Sequence, residues 1–369
     1  MPQLLLILLC LLASPAWATA SAGLAFVPSR LVPEVAVIDT RADAVLRRLP
    51  TGTAPLHAAV SASQDLLVTT SWRGRVVNLI DVAGILPTET VALDVRPDGI
   101  ALDPAGRILA VSSLEQDAVA LVDLAARRQT ATIAGLATPH HLAFSAGGTR
   151  LYVGNLGADR VSEIDVAAGA LRREIELAPP GAERGGVTNL TLLPDGRRAL
   201  AVFGSGSELA LIDLAAGQVA GMVPVGELPW HAFATMDGAR ILVPNRGEAT
   251  LSLLDGASLR EIARVPVAGE VADVSFAWFE STAFVLGRGE RRITAIGVAD
   301  GAVLAEIDLP GAPEAAVAAA DGSRLYVALG DVGAVAVIDA RAPRLLKVID
   351  GVARRPWSVQ MAGASNYCR

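Results

Sequence analysis

The stretch RLYVGNLGADRVSEIDVAAGALRREIEL, from Arg150 to Leu177, decides the fold because parts of it recur along the whole chain. Its most constant part is an apolar residue followed by aspartate, here Ile164-Asp165. Such aspartates return at one regular interval, which is slightly lengthened once and doubled once, and Gly297 fills the position that the doubled interval skips. The aspartates are Asp39, Asp81, Asp123, Asp165, Asp213, Asp255 and Asp339. The chain therefore carries eight repeats, which indicates a repeat architecture.

Each repeat holds four short β-rich segments separated by turn residues. In the copy around Asp165 they are HLAFS, RLYVGN, RVSEIDV and LRREIEL. The first two segments are joined by Gly147-Gly148, and another copy has Asp195-Gly196 at this place; such pairs favour tight hairpins. Four antiparallel strands in a repeat as long as the interval from Asp123 to Asp165 are typical of a propeller blade. We expect the repeated aspartates to accept hydrogen bonds in the turn after the third strand.

The two ends of the chain set the number of blades. The N-terminal repeat supplies only three strands, and RPWSVQM, from Arg355 to Met361, is left over after the last complete unit. The sequence therefore predicts an all-β fold, an eight-bladed β-propeller of four-stranded antiparallel blades. A C-terminal strand would complete the N-terminal blade, and the single domain would span residues 19–369.

The N-terminus predicts export. An apolar run from Leu4 to Leu12 is followed by Pro15 and the triplet Ala16-Trp17-Ala18, which indicates a signal peptide, residues 1–18, cleaved near Ala18. We therefore expect a periplasmic or secreted protein, and no later apolar stretch is long enough to span a membrane. The net charge of −7 argues against a nucleic-acid partner. Cys10 leaves with the signal, so Cys368 is the one remaining cysteine.

Two copies of the repeat resemble a known family. LYVGN (Leu151–Asn155) with VSEID (Val161–Asp165), and RLYV (Arg324–Val327) with VAVID (Val335–Asp339), are similar to the YVTN-type propeller repeat. With eight repeats, the chain resembles the cytochrome d1 haem domain of nitrite reductases and of propeller proteins in haem d1 biosynthesis. The resemblance implies that the first strand of each blade lines a central channel. It also implies a ligand face, formed by the loops that enter this strand and by those between the second and third strands.

Three of the four histidines fall on that face in one register. His57, His141 and His231 precede Asp81, Asp165 and Asp255, the aspartates of their repeats, by the same number of positions. They belong to alternate blades, so His57 and His231 should face each other across the channel with His141 midway. Imidazole can ligate haem iron or another metal, transfer protons near neutral pH, or satisfy backbone groups at the strand entrance. A compact three-histidine zinc site is not expected, because donors must lie about 2.0–2.1 Å from the metal and an eight-bladed channel is wide.

Cationic and aromatic residues are expected on the same rim. Arg73, Arg246 and Arg288 lie eight or nine residues before their register position, and arginine can clamp carboxylates with two parallel hydrogen bonds. Trp230, beside His231, and Trp357 could stack on a planar ligand. The one departure from the period places six extra residues in the loop Ala178–Gly186, which enters the same face and is a candidate lid.

Three functions remain open at this point. The first is a periplasmic binding protein whose channel holds a small anionic planar ligand, with a d1-type haem as the candidate that the resemblance implies. The second is an enzyme on the same face, either a haem d1 biosynthetic dehydrogenase or a lactonase-like hydrolase. The third is a scaffold that binds a periplasmic protein partner and has no small-molecule site, since propellers host many activities.

Overall fold

Short strands and tight turns make up the computed structural model, which describes residues 23–71, 73–82, 89–179 and 181–362. The predicted signal peptide and Cys368 lie outside the described residues. In chain order the strands are β1 (Leu24–Pro28), β2 (Glu34–Asp39), β3 (Ala44–Pro50), β4 (Ala58–Ser61), β5 (Leu66–Thr70), β6 (Val76–Asp81), β7 (Glu89–Ala92), β8 (Ile100–Leu102), β9 (Ile108–Ser113), β10 (Ala118–Asp123), β11 (Arg128–Ala134), β12 (Pro139–Phe144), β13 (Arg150–Asn155), β14 (Arg160–Asp165), β15 (Ala170–Glu176) and β16 (Val187–Leu192). The second half contains β17 (Arg198–Phe203), β18 (Glu208–Asp213), β19 (Gln218–Pro224), β20 (Phe233–Ala234), β21 (Arg240–Asn245), β22 (Thr250–Asp255), β23 (Glu261–Pro266), β24 (Val271–Ala277), β25 (Thr282–Gly287), β26 (Arg292–Gly297), β27 (Val303–Asp308), β28 (Pro313–Ala318), β29 (Arg324–Leu329), β30 (Ala334–Asp339), β31 (Arg344–Ile349) and β32 (Gln360–Met361).

The strands form eight four-stranded antiparallel sheets, which are the blades of a propeller. Blades 2 to 8 each consist of four consecutive strands, from β4–β7 to β28–β31. Blade 1 has the order β3-β2-β1-β32, in which Phe26 pairs with Gln360 and Ala25 with Met361. The predicted eight-bladed fold and its closure by a C-terminal strand are confirmed.

The hydrophobic core is divided among the joints between blades. The buried apolar residues form eight clusters in the described part of the chain, and each cluster joins two neighbouring blades. Second strands such as β13 are buried along almost their whole length because a blade covers each of their faces. Outer strands such as β3 and β11 alternate between exposed and covered residues. Small aliphatic side chains suit this close face-to-face packing of sheets.

The repeated aspartates stabilise turns, as predicted. The Asp39 Oδ1 atom accepts a hydrogen bond from the Arg41 amide at 2.8 Å, and Asp165 Oδ1 accepts one from Ala168 at 3.0 Å. A short acceptor placed before a turn satisfies amides that the sheet leaves unpaired. These carboxylates therefore belong to the architecture. No helix in the described part of the chain is long and apolar enough to cross a membrane.

Candidate ligand site in the central channel

The inner strand of each blade begins at one face of the ring, which we call the upper face. In blades 4, 5, 7 and 8 this strand carries a β-bulge in its first residues. In blade 4, Pro139 pairs with Asn155 and His141 with Gly154, so that His140 is the extra residue. A bulge breaks the alternation of a strand and redirects a side chain. Two consecutive residues of one strand can therefore both line the channel.

We number these residues from the aspartate of each repeat. Position −24 is that of His57, His141 and His231, and position −25 is the residue before it, which is the bulge residue where a bulge occurs. In blade 1, the pairing of Phe26 with Gln360 assigns these positions to Ser358 and Trp357. From blade 1 to blade 8, position −25 holds Trp357, Leu56, Asp98, His140, Thr188, Trp230, Ala272 and Glu314. Position −24 holds Ser358, His57, Gly99, His141, Asn189, His231, Asp273 and Ala315.

Residues from both positions line one cavity of about 290 Å³ at the upper face. This volume lies at the small end of the usual range for ligand pockets. Arg246 and Arg288 join the lining from the loops between second and third strands. The two kinds of loop thus share one face, and Arg246, Arg288, Trp230, His57 and His231 are brought together there.

One wall of the cavity carries the imidazole groups of His57 and His140. Burial, with smaller contributions from the charges of His140 and Arg30, lowers the pKa of His57 to about 4. Among the described residues, none hydrogen-bonds the imidazole nitrogens of His57. His140 Nδ1 lies 3.2 Å from the Thr188 carbonyl oxygen, which can only accept, so this nitrogen carries a proton. Of the two side chains, His57 can present an uncharged nitrogen to a ligand.

His141 and His231 meet inside the channel rather than standing apart around it. Their ring centroids are 5.6 Å apart in an edge-to-face arrangement, and the His231 ring also stacks on Phe233 at 4.1 Å. Asn189 Nδ2 donates to His231 Nδ1 at 3.0 Å. His231 lines the upper cavity, whereas His141 lines a second cavity of about 550 Å³ at the opposite mouth. In the described residues, no three histidine, cysteine or carboxylate side chains are grouped to hold a metal ion.

The other wall combines guanidinium groups with indole rings. The Arg246 guanidinium lies 3.4 Å from the centre of the Trp230 ring, and its Nε donates to the Val271 carbonyl oxygen at 2.9 Å. Loss of solvation, together with the charge of Arg288, lowers the pKa of Arg246 to about 10. No carboxylate of the described residues forms an ion pair with Arg246. The exposed outer part of this side chain thus offers an uncompensated positive charge at the cavity mouth.

Arg288 differs from Arg246 because it already has a counter-ion. Its guanidinium pairs with the Glu314 carboxylate at 2.5 Å and lies 5.5 Å from the centre of the Trp357 ring. Burial raises the pKa of Glu314, and the charge of Arg288 opposes this shift. Arg30 covers Trp357 at 4.3 Å. Two guanidinium groups therefore lie near the Trp357 ring.

Two predicted features do not line the cavity. Arg73 is exposed and absent from its lining; its amide donates to Ser71 Oγ at 3.4 Å. The described residues of the loop Ala178–Gly186 are absent from the lining as well. Hydrogen bonds hold this loop to the turn that contains Asp159. The Asp159 carboxylate accepts from the amides of Arg184 and Gly186 at 2.7 and 2.8 Å.

At position −25 the sequence interpretation found only the two tryptophans, Trp230 and Trp357. It missed the other residues that this position supplies to the cavity, which are His140, Thr188, Ala272 and Glu314. Strict alternation along a strand sends the residue before His141 to the opposite side of the sheet, so only one of the two histidines was expected in the channel. Counting back from each aspartate to position −25, one place beyond the histidine register, would have found these residues.

The fold and the cavity define an eight-bladed propeller with a ligand-sized site in its channel. A family model described as YNCE-like beta-propeller matches residues 26–363, and the chain belongs to this family. A search of curated protein sequences finds no significant match.

Solved structures with the same fold are distant in sequence. Dihydro-heme d1 dehydrogenase NirN, in complex with DHE, is similar with a TM-score of 0.78 and 16% identity, over 94% of this chain and 77% of that one. Kuenenia stuttgartiensis hydrazine synthase gives a TM-score of 0.61 and 20% identity, over 78% of this chain and 96% of that one. A functionally unknown protein from Desulfotomaculum acetoxidans gives a TM-score of 0.57 and 16% identity, over 77% of this chain and 95% of that one. The predicted resemblance to d1-type propellers is confirmed at the level of the fold.

Proposed function

We propose that the chain is a binding protein whose upper cavity takes a planar anionic ligand, with a d1-type haem as the leading candidate. The observation that carries the proposal is Arg246. A guanidinium that has lost part of its hydration and has no carboxylate partner among the described residues costs free energy in the ligand-free protein. An anionic ligand would recover that cost through charge-assisted hydrogen bonds.

The surroundings of Arg246 favour a flat ligand. Trp230 and Trp357 come from position −25 of blades 6 and 1 and line the same cavity. Indole faces and guanidinium planes both stack on aromatic ring systems. A ring system larger than 290 Å³ would extend from the cavity towards its open mouth, where Arg246 is exposed.

The residues present also fit the iron of a haem. The lowered pKa of His57 keeps its imidazole neutral at pH 7, and a neutral imidazole is the form that ligates a metal. His140 adds a second imidazole to the lining of the same cavity. A d1-type haem would supply redox chemistry at its iron, while the chain would bind and orient the ring. The likeness of fold to NirN supports this choice of ligand.

Titration of the purified protein with a d1-type haem, and with iron protoporphyrin IX for comparison, tests the proposal by absorption spectroscopy. We expect a shifted haem band at saturation. His57→Ala should change the band, and Arg246→Gln should weaken binding about tenfold, which corresponds to about 1.4 kcal/mol. Arg73→Gln is the matched control, because this arginine lies outside the cavity, and it should bind like the wild type.

Absence of any spectral change with either tetrapyrrole would overturn the haem proposal. Equal affinities of the wild type and Arg246→Gln would overturn the role of the unpaired guanidinium. If His57→Ala and His140→Ala each give the same haem band as the wild type, neither imidazole is an iron ligand.

A second candidate is an enzyme that acts at the same cavity. The environment raises the pKa of Glu314 and lowers that of His57, and two titratable groups shifted in opposite directions are characteristic of acid–base sites. Turnover of a bound substrate by the purified protein, lost in Glu314→Gln without loss of binding, would favour the enzyme. Binding without turnover would favour the carrier.

We also propose that the protein works in the periplasm or outside the cell. The apolar run from Leu4 to Leu12 and the small residues Ala16 and Ala18 support this location. N-terminal sequencing of the protein recovered after export should begin at Thr19. A mature N-terminus at Met1 would contradict the proposal.

A further inference from the structure

The hairpins that join first and second strands lie on the face opposite the ligand cavity, which we call the lower face. Their loops have four residues in the same register, for example Pro194-Asp195-Gly196-Arg197 and Ala320-Asp321-Gly322-Ser323. In blade 7 the corresponding residues are Trp278-Phe279-Glu280-Ser281. Large aromatic side chains thus replace small turn residues at a single hairpin.

Phe279 is displayed to solvent, whereas Trp278 is partly buried against the core between blades 7 and 8. Phe279 is 82% exposed. Met236, from the corresponding hairpin of blade 6, is 84% exposed. They are the two most exposed large apolar residues in the described part of the chain. The Trp278 and Phe279 rings lie 5.1 Å apart, and the Met236 amide hydrogen-bonds Glu280 of the same hairpin. We call the surface of Met236, Trp278 and Phe279 the apolar patch. Contiguous apolar surface of this kind marks an interaction site.

The backbone beneath the patch is strained. Trp278, Phe279 and Glu280 all have left-handed φ values, of 50°, 55° and 57°. The hairpins of blades 5 and 8 place only a glycine in this region, Gly196 and Gly322. Residues with a Cβ atom adopt this conformation at an energetic cost, and such strain is found mainly at functional sites. The exposure of the Phe279 ring is therefore maintained against a local penalty.

The patch separates charges of opposite sign. On the side of blade 6, Glu280 accepts a hydrogen bond from the Met236 amide at 2.7 Å, which places it beside Asp237. On the side of blade 8, the Arg341 guanidinium lies 5.9 Å from the centre of the Trp278 ring. The surface thus runs from Asp237 and Glu280 through the apolar patch to Arg341, which also lies 3.7 Å from an oxygen of Asp339.

We propose that this patch is a dimer interface that binds a second copy of the chain. A two-fold interface brings the same surface of both copies together, so that surface must complement itself. If two copies meet on their apolar patches with opposed directions, Arg341 of each copy faces Glu280 and Asp237 of the other. Aromatic residues and methionine at the centre with charges at the rim match the composition of protein interfaces.

A charge-swap experiment tests this geometry by sedimentation velocity at about 1 to 100 µM protein. The wild type should shift from monomer to dimer over this range. Arg341→Glu and Glu280→Arg should each weaken the dimer at least about tenfold, because each places like charges across both halves of the interface. An equimolar mixture of the two variants should form a heterodimer, because both charge pairs then become attractive.

Phe279→Ser should weaken the dimer to the same extent as the charge variants. Leu31→Ser is the matched control, because Leu31 is another exposed apolar residue, 61% exposed, and lies in a loop of the upper face. Unchanged far-ultraviolet circular dichroism and unfolding midpoints would show that every variant is folded.

Three results would overturn the proposal. A wild type that stays monomeric at all concentrations would exclude the dimer, and its binding to phosphatidylcholine vesicles would identify a lipid surface as the occupant instead. A dimer that persists in Phe279→Ser would place the interface elsewhere. Failure of the mixed charge variants to associate would refute the two-fold arrangement.

Discussion

The hydroxyl of Tyr326 ties the last blade of the ring to the first. It donates to Asp43 Oδ1 at 2.6 Å and lies 3.0 Å from the Thr40 carbonyl oxygen, while Arg324 pairs with Asp43 Oδ2 at 2.6 Å. Tyr326 belongs to β29 of blade 8, and Asp43 to the turn after β2 of blade 1. The substitution Tyr326→Phe therefore removes one hydrogen bond across the closing joint and leaves the packing of the ring in place.

The expected cost follows from the charge of the acceptor. A hydrogen bond to an ionised group contributes about 1.5–3 kcal/mol. The larger loss of about 3–5 kcal/mol that follows when a buried charge loses its partner does not apply, because Arg324 still pairs with Asp43 and the Asp43 side chain is 14% exposed. We expect Tyr326→Phe to lower the free energy of unfolding by about 2 kcal/mol.

Tyr152→Phe is the matched control for this substitution. Tyr152 precedes Asp165 by as many positions as Tyr326 precedes Asp339, so it stands at the same repeat position in blade 4, and it is similarly buried. Among the described residues, none hydrogen-bonds its hydroxyl, so its removal should change the stability by less than about 0.5 kcal/mol. Urea unfolding of the wild type and both variants, followed by circular dichroism, measures the two differences.

Equal stability of Tyr326→Phe and the wild type would show that the closing joint does not depend on this contact. A loss in Tyr152→Phe as large as that in Tyr326→Phe would show that burial of the ring, and not the hydrogen bond, sets the cost.

Three further predictions concern the cavity and its rim. The pKa of His57 is about 4 in the folded protein and 6.5 in an unfolded chain, so the unfolded chain takes up this proton first as the pH falls. His57 should therefore raise the free energy of unfolding by about 3 kcal/mol as the pH increases from 4 to 6.5. Urea titrations of the variant His57→Gln should lack this rise. Arg246→Gln should bind ligand poorly, yet the ligand-free variant should be as stable as the wild type or more stable by up to about 1 kcal/mol in the same assay. Gly186→Ala should cost about 3 kcal/mol, because its φ is +74° and a Cβ atom would lie 1.9 Å from the Leu156 carbonyl oxygen. Gly181→Ala, with a φ of +86° and nothing within 4 Å of the added carbon, should cost only about 1 kcal/mol; equal losses in the two variants would contradict the packing argument.

The fold could be predicted in full because its information is repeated. The spacing of the aspartates set the length of a blade, and the unpaired segment Arg355–Met361 set the closure. Each repeat must bury its strands against the next repeat, so the same residue types return at the same positions. Counting residues back from the same repeat positions also placed Arg246, Arg288 and Trp230 on the upper face.

The site could be predicted only in part because a bulge is a backbone irregularity with no residue type of its own. It brings His140 into the upper cavity, while His141 lies at the lower one. Arg73 also lies outside the cavity. It stands eight residues before its register position, whereas Arg246 and Arg288 stand nine before theirs.

Positions −25 and −24, which surround the channel, do not repeat the same residue types from blade to blade. The strand and turn positions return with the same residue types in blade after blade, whereas position −25 holds seven different residues in eight blades and position −24 holds six. Most of these sixteen residues line the upper cavity, and some also hydrogen-bond to a neighbouring blade, as Asn189 does to His231 and as Asp273 does to the Ala316 amide. The lining of the cavity thus differs from blade to blade, while the strands and turns that build the ring stay the same.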